Sequence, residues 1–163
     1  MKLGDGVEAA IHCVTALATL DEGRVLPAAA MAEFHGLSTS YLLKHLKALT
    51  KARILASVPG PTGGYMLAKA PEDLTLLDVV LAVEGPEPAF RCKEIRRKGP
   101  NPLPDDAFPK PCGINAAMLK AEQAYRKALR ETLISDLIHN HNQTSDPRVH
   151  ARGCAFVQQH IRP

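Results

Sequence analysis

Helical periodicity dominates the first half of the chain. Val7, Ala10, Ile11, Val14, Leu17 and Ala18 recur at the spacing of one helix face, predicting a helix over 7–20 that the acidic turn D-E-G ends. Pro27 opens a second, short helix through A-A-A-M-A-E-F-H, with Gly36 as its natural C-terminal stop. Ser38 then stands as the N-cap of a third helix that reaches about Ala52, with Leu42, Leu46 and Leu49 as its buried stripe. Two short helices joined by a tight glycine turn are the signature of a helix-turn-helix.

The period then changes. I-L-A-S-V and Y-M-L-A are strand-like runs on either side of P-G-P-T-G-G, and a hairpin placed directly after a recognition helix is a wing. A further helix is expected over 74–83, between Pro71 and Gly85. Residues 84–112 hold more than half of the thirteen prolines and read as an irregular loop, inside which R-C-K-E-I-R-R-K is strongly basic. From Gly113 to about Ile138 the pattern predicts one long helix. Its Ile114, Met118, Ala121, Tyr125 and Ala128 lie near a heptad spacing, the kind of stripe that pairs with another chain. The remainder, beginning H-N-H-N-Q-T-S-D-P-R, is polar and is expected to be a mobile tail. The fold class that follows is mainly α with a small β-hairpin wing. It comprises a winged helix-turn-helix domain over 1–83, a proline-rich cysteine loop over 84–112, a dimerisation helix over 113–138 and a tail over 139–163.

Composition narrows the classes. The 163 residues are 45% hydrophobic and 23% charged, ordinary for one globular domain. Apolar runs are far too short for a membrane span, and the first residues hold no signal-like apolar region, so a cytoplasmic location is expected. The net charge of +3 permits an anionic partner without demanding one. Aromatics, at 4% with no Trp, argue against stacking platforms for single strands. Four cysteines, Cys13, Cys92, Cys112 and Cys154, include no C-x-x-C pair. No His lies near Cys92 or Cys112 in sequence and no nucleotide-binding loop occurs, so enzymatic activity is not expected.

In a helix-turn-helix the start of the second helix reaches base edges. Here those positions are Ser38, Thr39, Ser40 and Tyr41, with Lys44, His45 and Lys47 a turn later. The wing tip offers Pro61, Thr62 and Gly63, which have little side chain to keep them from a DNA backbone. Each group alone is equally well a solvated helix face or a tight hairpin. Their order and spacing together favour double-stranded DNA.

The opening M-K-L, the S-T-S-Y-L-L-K-H-L-K-A-L run, R-I-L-A-S-V-P-G-P-T-G-G-Y-M-L and L-T-L-L-D-V-V-L-A-V-E-G resemble the Rrf-two family of bacterial transcriptional regulators. The likeness runs from Met1 to about Leu137. It implies a homodimeric winged-helix DNA-binding protein, a repressor in this reading, acting on a pseudo-palindromic operator. Its long C-terminal helices would cross to form the dimer. In many members a cysteine loop before that helix holds an iron–sulfur cluster, commonly with three cysteines. This chain has two there, Cys92 and Cys112. Glu8 and His12 stand four apart and so share one helix face. The RsrR-like redox-sensing branch is similar: a Glu and a His on the first helix, supplied by the second subunit, join two loop cysteines. The resemblance therefore implies Glu8, His12, Cys92 and Cys112 as ligands of a 2Fe-2S cluster. The bland reading has Glu8 and His12 as a surface pair and the cysteines as idle thiols. The alternative within the family is a cluster-free regulator answering to thiol oxidation, a small ligand or a protein partner. Cys13 faces the apolar side of its helix and reads as packing, and Cys154 as an incidental thiol.

Overall fold

A computed structural model describes residues 3–163; Met1 and Lys2, the start of the M-K-L opening, lie outside the described residues. Four helices and a hairpin surround one core. Helix α1 (Asp5–Leu17) buries Val7, Ala10, Cys13, Val14 and Leu17. Helix α2 (Ala28–Phe34) follows Pro27, and Gly36, at φ +65°, turns the chain into α3 (Thr39–Lys51). That left-handed conformation costs a glycine almost nothing, which keeps the connection between the two helices tight. Ser38 caps α3 by accepting from the Tyr41 N–H at 3.2 Å, and Leu42, Leu46 and Leu49 are fully buried. Strands β1 (Leu55–Val58) and β2 (Gly64–Leu67) pair antiparallel, Leu55 with Leu67 and Val58 with Gly64. Helix α4 (Leu76–Glu84) starts at a capping box in which Thr75 Oγ1 accepts from the Asp78 N–H and Asp78 Oδ2 accepts from the Thr75 N–H.

Two expectations for the C-terminal half are corrected. The single helix over 113–138 is two: α5 (Gly113–Arg130) and α6 (Ile134–Thr144). The break arises because the intervening backbone is bonded elsewhere. The Leu76 N–H donates to the Thr132 carbonyl and the Ile134 N–H to the Leu74 carbonyl, each at 2.9 Å, and Ile134 is fully buried in the core. A continuous helix would withdraw those groups and that side chain. The stretch expected to be a polar tail is the end of α6 and a further helix, α7 (Pro147–His160). Asp146 accepts from the Arg148 N–H and Pro147 takes the first helical turn, a strong start signal inside an otherwise polar stretch. Phe156 seats α7 on Phe34 of α2, with ring centroids 4.9 Å apart.

One contact between α1 and α3 is especially close. His45 is buried, not presented to solvent: its ring lies against the backbone of Gly6, and a Cβ at Gly6 would overlap it. With Leu42, Leu46 and Leu49 it occupies the inward stripe of α3. Burial, and secondarily the neighbouring Lys44 charge, push its pKa below the ordinary value, while Glu84 opposes them. His45 Nε2 has no hydrogen-bond partner among the described residues.

Two outcomes follow from this packing. Gly6→Ala is expected to cost about 1–3 kcal/mol in denaturant unfolding, and less in a His45→Ala background, because the overlap is then gone. A depressed folded-state pKa favours neutral imidazole, so the stability from His45 is full above the unfolded value near 6.5 and is lost as pH falls through the folded value. The melting temperature should fall between about pH 7 and about pH 5, and fall less in His45→Asn. His35, whose pKa burial also lowers, supplies part of what remains.

Candidate nucleic-acid interface and thiol site

On α3 the outward face carries Ser38, Thr39, Ser40, Tyr41, Lys44 and Lys47, all exposed. Lys51 continues the same stripe and is also exposed; the four-residue step from Lys47 was the signal for it in the sequence. Tyr41 stands edge-on over the His45 ring, at 4.8 Å between centroids. Six of the seven expected residues on this helix therefore share one surface. His45 does not, because it fills the space above Gly6. On the wing, Pro61 and Thr62 are exposed. Gly63 is not: it is buried beneath the tip, its N–H donates to the Gly60 carbonyl at 3.0 Å, and a Cβ there would run into the Val58 carbonyl. Gly63 shapes the turn and leaves the outer surface to its neighbours.

The second site lies in the loop before α5. Glu122 of α5 accepts from the Ala89 N–H, and Arg126 donates to the Pro86 carbonyl, both at 2.8 Å, so the loop's first residues are held on that helix. The loop ends at Cys112, which is the N-cap of α5. Sulfurs of Cys92 and Cys112 and a carboxylate oxygen of Glu94 all lie within 4.8 Å of one another. The backbone N–H groups of Asn115, then Ile114, at the start of α5, and the neighbouring Cys92 thiol hold the Cys112 pKa below the ordinary thiol value, while the Cys92 thiol itself donates to Glu94 Oε1 at 3.8 Å. Partial desolvation and the Glu94 carboxylate oppose that shift. Thiolates at helix N-termini are stabilised in this way.

Glu94 is the member of this group that the sequence reading missed. It takes a left-handed backbone conformation, φ +46°, and its carboxylate is gripped by Arg96 at 2.8 Å and Arg97 at 3.5 Å. The hydrogen bond from Arg96 in particular draws its pKa down. Both guanidinium groups lie over the Phe108 ring, at 5.2 and 5.3 Å, and Arg97 also pairs with Asp105. Two of the five basic residues of the Arg91–Lys98 run are thus engaged in building the loop. The only sequence signal was a carboxylate two residues from a cysteine. Glu8 and His12 are exposed on α1; the His12 ring approaches His35, at 5.3 Å, and neither joins the Cys92–Glu94–Cys112 group within the chain. Cys13 is fully buried, and desolvation pushes its thiol up to about 12. Cys154 is exposed, 3.7 Å from His150 Nδ1.

With this arrangement in place, one family model, described as Rrf2, iron-dependent transcriptional regulator, matches residues 3–140. The chain is a member of the Rrf2 family. Among its relatives, YffB of Lactococcus lactis is 40% identical over 85 residues, 52% of this chain and 54% of that protein. The regulator IscR of Photorhabdus laumondii is 39% identical over 72 residues, 44% of this chain and 43% of its own length. The chain thus spans about half the length of the curated relatives it matches. The structure of CymR, the global cysteine regulator of Bacillus subtilis, superposes with a TM-score of 0.66 at 20% identity, covering 86% of this chain and 98% of that one. That likeness establishes the winged-helix Rrf2 fold. The family model and the relatives it accompanies are described as transcriptional regulators, not enzymes. No helix of this Rrf2 chain, among the described residues, is long and apolar enough to cross a membrane.

The thiol geometry has a direct readout. In reduced, metal-free protein, iodoacetamide should label Cys112 with a pH–rate midpoint below 9.0, while Cys13 stays unlabelled until the chain unfolds. Glu94→Gln removes an opposing charge and should move the Cys112 midpoint lower still, read by mass spectrometry of the alkylated peptides.

Proposed function

We propose that this Rrf2 chain is a homodimeric repressor of the cytoplasm that reads a pseudo-palindromic operator and senses redox state through a 2Fe-2S cluster. In this reading residues 1–83 are the DNA-reading unit and 84–112 the sensor loop. Ser38, Thr39, Ser40 and Tyr41 meet base edges and phosphates, Lys44, Lys47 and Lys51 neutralise phosphates, and Pro61 and Thr62 lie against the backbone beside the recognition helix. Dimerisation falls to α5, whose Ile114 and Met118 are exposed within one chain and lie on the same face as Ala121 and Tyr125.

The observation that carries the sensing half is the meeting of Cys92 and Cys112 at the N-terminus of α5. Thiolates are the preferred ligands of iron–sulfur clusters, and one of these two already has backbone N–H groups stabilising its anion. The donor set fits a cluster only with ligands added to the two sulfurs. Glu94 is near but engaged by two arginines, whereas Glu8 and His12 are exposed on α1 and free to serve a second subunit. A bound 2Fe-2S cluster would supply one-electron redox chemistry, at a potential raised where imidazole replaces thiolate. The protein's own part is mechanical. Glu8 and His12 ride on the helix whose Gly6 touches His45 of α3 and whose apolar face shares a core with Leu42, Leu46 and Leu49, so a load on those ligands reaches the recognition helix through that packing. A second reading, cluster-free sensing by oxidation of the two thiols, draws on the same closeness of Cys92 to an activated Cys112.

Visible absorption with iron and sulfide analysis on anaerobically purified protein tests the cluster. About two iron and two sulfide per chain are expected, lost or altered in both Cys92→Ala and His12→Ala. Colourless, iron-free protein that still binds DNA would overturn the cluster and leave the thiol reading. For the interface, DNA affinity should fall linearly on a log–log plot against salt. Lys44→Ala or Lys47→Ala should make the slope shallower by about one for each phosphate contact removed.

A further inference from the structure

The last residues of the chain, outside the family match, return to the wing. Leu26 pairs with Tyr65 of β2, each N–H donating to the other's carbonyl at 3.0 Å. On the next position outward, Val25 and Arg162 exchange the same two bonds, at 3.0 and 2.9 Å. The Arg162 guanidinium then reaches across to the wing tip and donates to the Pro61 carbonyl at 2.7 Å. The segment is fastened at its other end. Phe156 of α7 packs on Phe34, Arg152 lies over that Phe34 ring at 5.0 Å, and His160 stacks on Phe156 at 4.1 Å. Phe34 is the last residue of α2, the first helix of the helix-turn-helix.

We propose that Arg162 is a positioning residue for DNA binding and that α7 with its terminal residues is the strap that holds the wing in place. The proposal rests on the reading of the wing as a DNA contact. A hairpin with four-residue strands is marginal by itself, and its tip here is built of proline, threonine and glycine with few side chains to order it. Arg162 supplies what the tip lacks: a charge-assisted hydrogen bond onto a tip carbonyl, from a residue whose own backbone is held in a ladder. The strap joins α2 to the wing, so the two flanks of the recognition helix keep one relative orientation before DNA arrives. Ordering the tip in advance removes a cost that binding would otherwise bear.

The test uses the 163-residue chain and a duplex selected by the unsubstituted protein from a random pool. Hydrogen exchange over residues 58–64 is measured without DNA, and affinity and its salt slope by fluorescence anisotropy. Arg162→Ala is expected to speed exchange at the tip while α1–α4 keep their protection, and to weaken binding roughly five- to tenfold with the salt slope unchanged. Arg162→Lys, which can still donate to Pro61, should recover part of both losses. Phe156→Ala should reproduce the tip effect from the far end of the strap. Thr62→Glu checks the underlying reading, because an added charge at a tip that touches phosphate must weaken binding. Normal tip exchange and affinity in Arg162→Ala, alongside weakened binding by Thr62→Glu, would overturn the strap and leave the wing as a DNA contact. A shallower salt slope in Arg162→Ala would make Arg162 a phosphate contact and overturn its positioning role. Unchanged binding by Thr62→Glu would overturn the wing reading itself.

Discussion

The close approach of Gly6 to His45 is the constraint on which the DNA-reading half depends. A helix backbone carries no side chain at Gly6, so the imidazole of α3 packs straight onto α1. Interiors are dense and poorly compressible, so two helices in such contact move together. The cost is a buried ring nitrogen without a partner among the described residues and a pKa held below its ordinary value. Tyr41 covers the outer edge of the ring and turns the same residue into a floor beneath the presented surface. The recognition helix is thus referenced to α1, the helix that also bears Glu8 and His12.

Much of the fold was legible because its signals are local. Ser38 as a cap and Gly36 as a turn each act within four residues of themselves, Pro71 and Gly85 bracket α4, and the wing is bounded by its own proline and glycine. What was not legible depends on distant partners. His45 looked like a neighbour of Lys44 and Lys47, but the angle that buries it is set by Leu42 and Leu49 and by the absence of a Cβ at Gly6. The long helix read from heptad spacing breaks where Thr132 and Ile134 bond to Leu74 and Leu76, residues far away in the chain. Helix α7 is the instructive miss: Asp146 and Pro147 announce a start, and Gly153, Phe156, Val157 and His160 form a half-buried face, yet the polar residues around them suggested a tail.

The thiol site shows the same division. Cys92 and Cys112 were visible as a pair bracketing the loop. Their meeting depends on an internal scaffold of Glu94, Arg96, Arg97 and Phe108 that spacing does not reveal. That scaffold also balances charge. Glu94 raises the Cys112 pKa, and the two arginines that grip Glu94 compensate its charge close by. Two residues of the basic Arg91–Lys98 run, Arg96 and Arg97, hold a carboxylate beside two sulfurs.

Cys112 is both the last residue of the loop and the cap of α5, and this gives its sulfur a moment arm. The helix it begins has 18 residues, about 27 Å at the usual rise, and ends at the backbone bonded to Leu74 and Leu76. A tilt of about 5° at the capped end would carry the far end through about 2 Å, comparable to a helix shift at a subunit interface. A displacement at one sulfur atom would thus be magnified along α5 to the backbone that is bonded to Leu74 and Leu76.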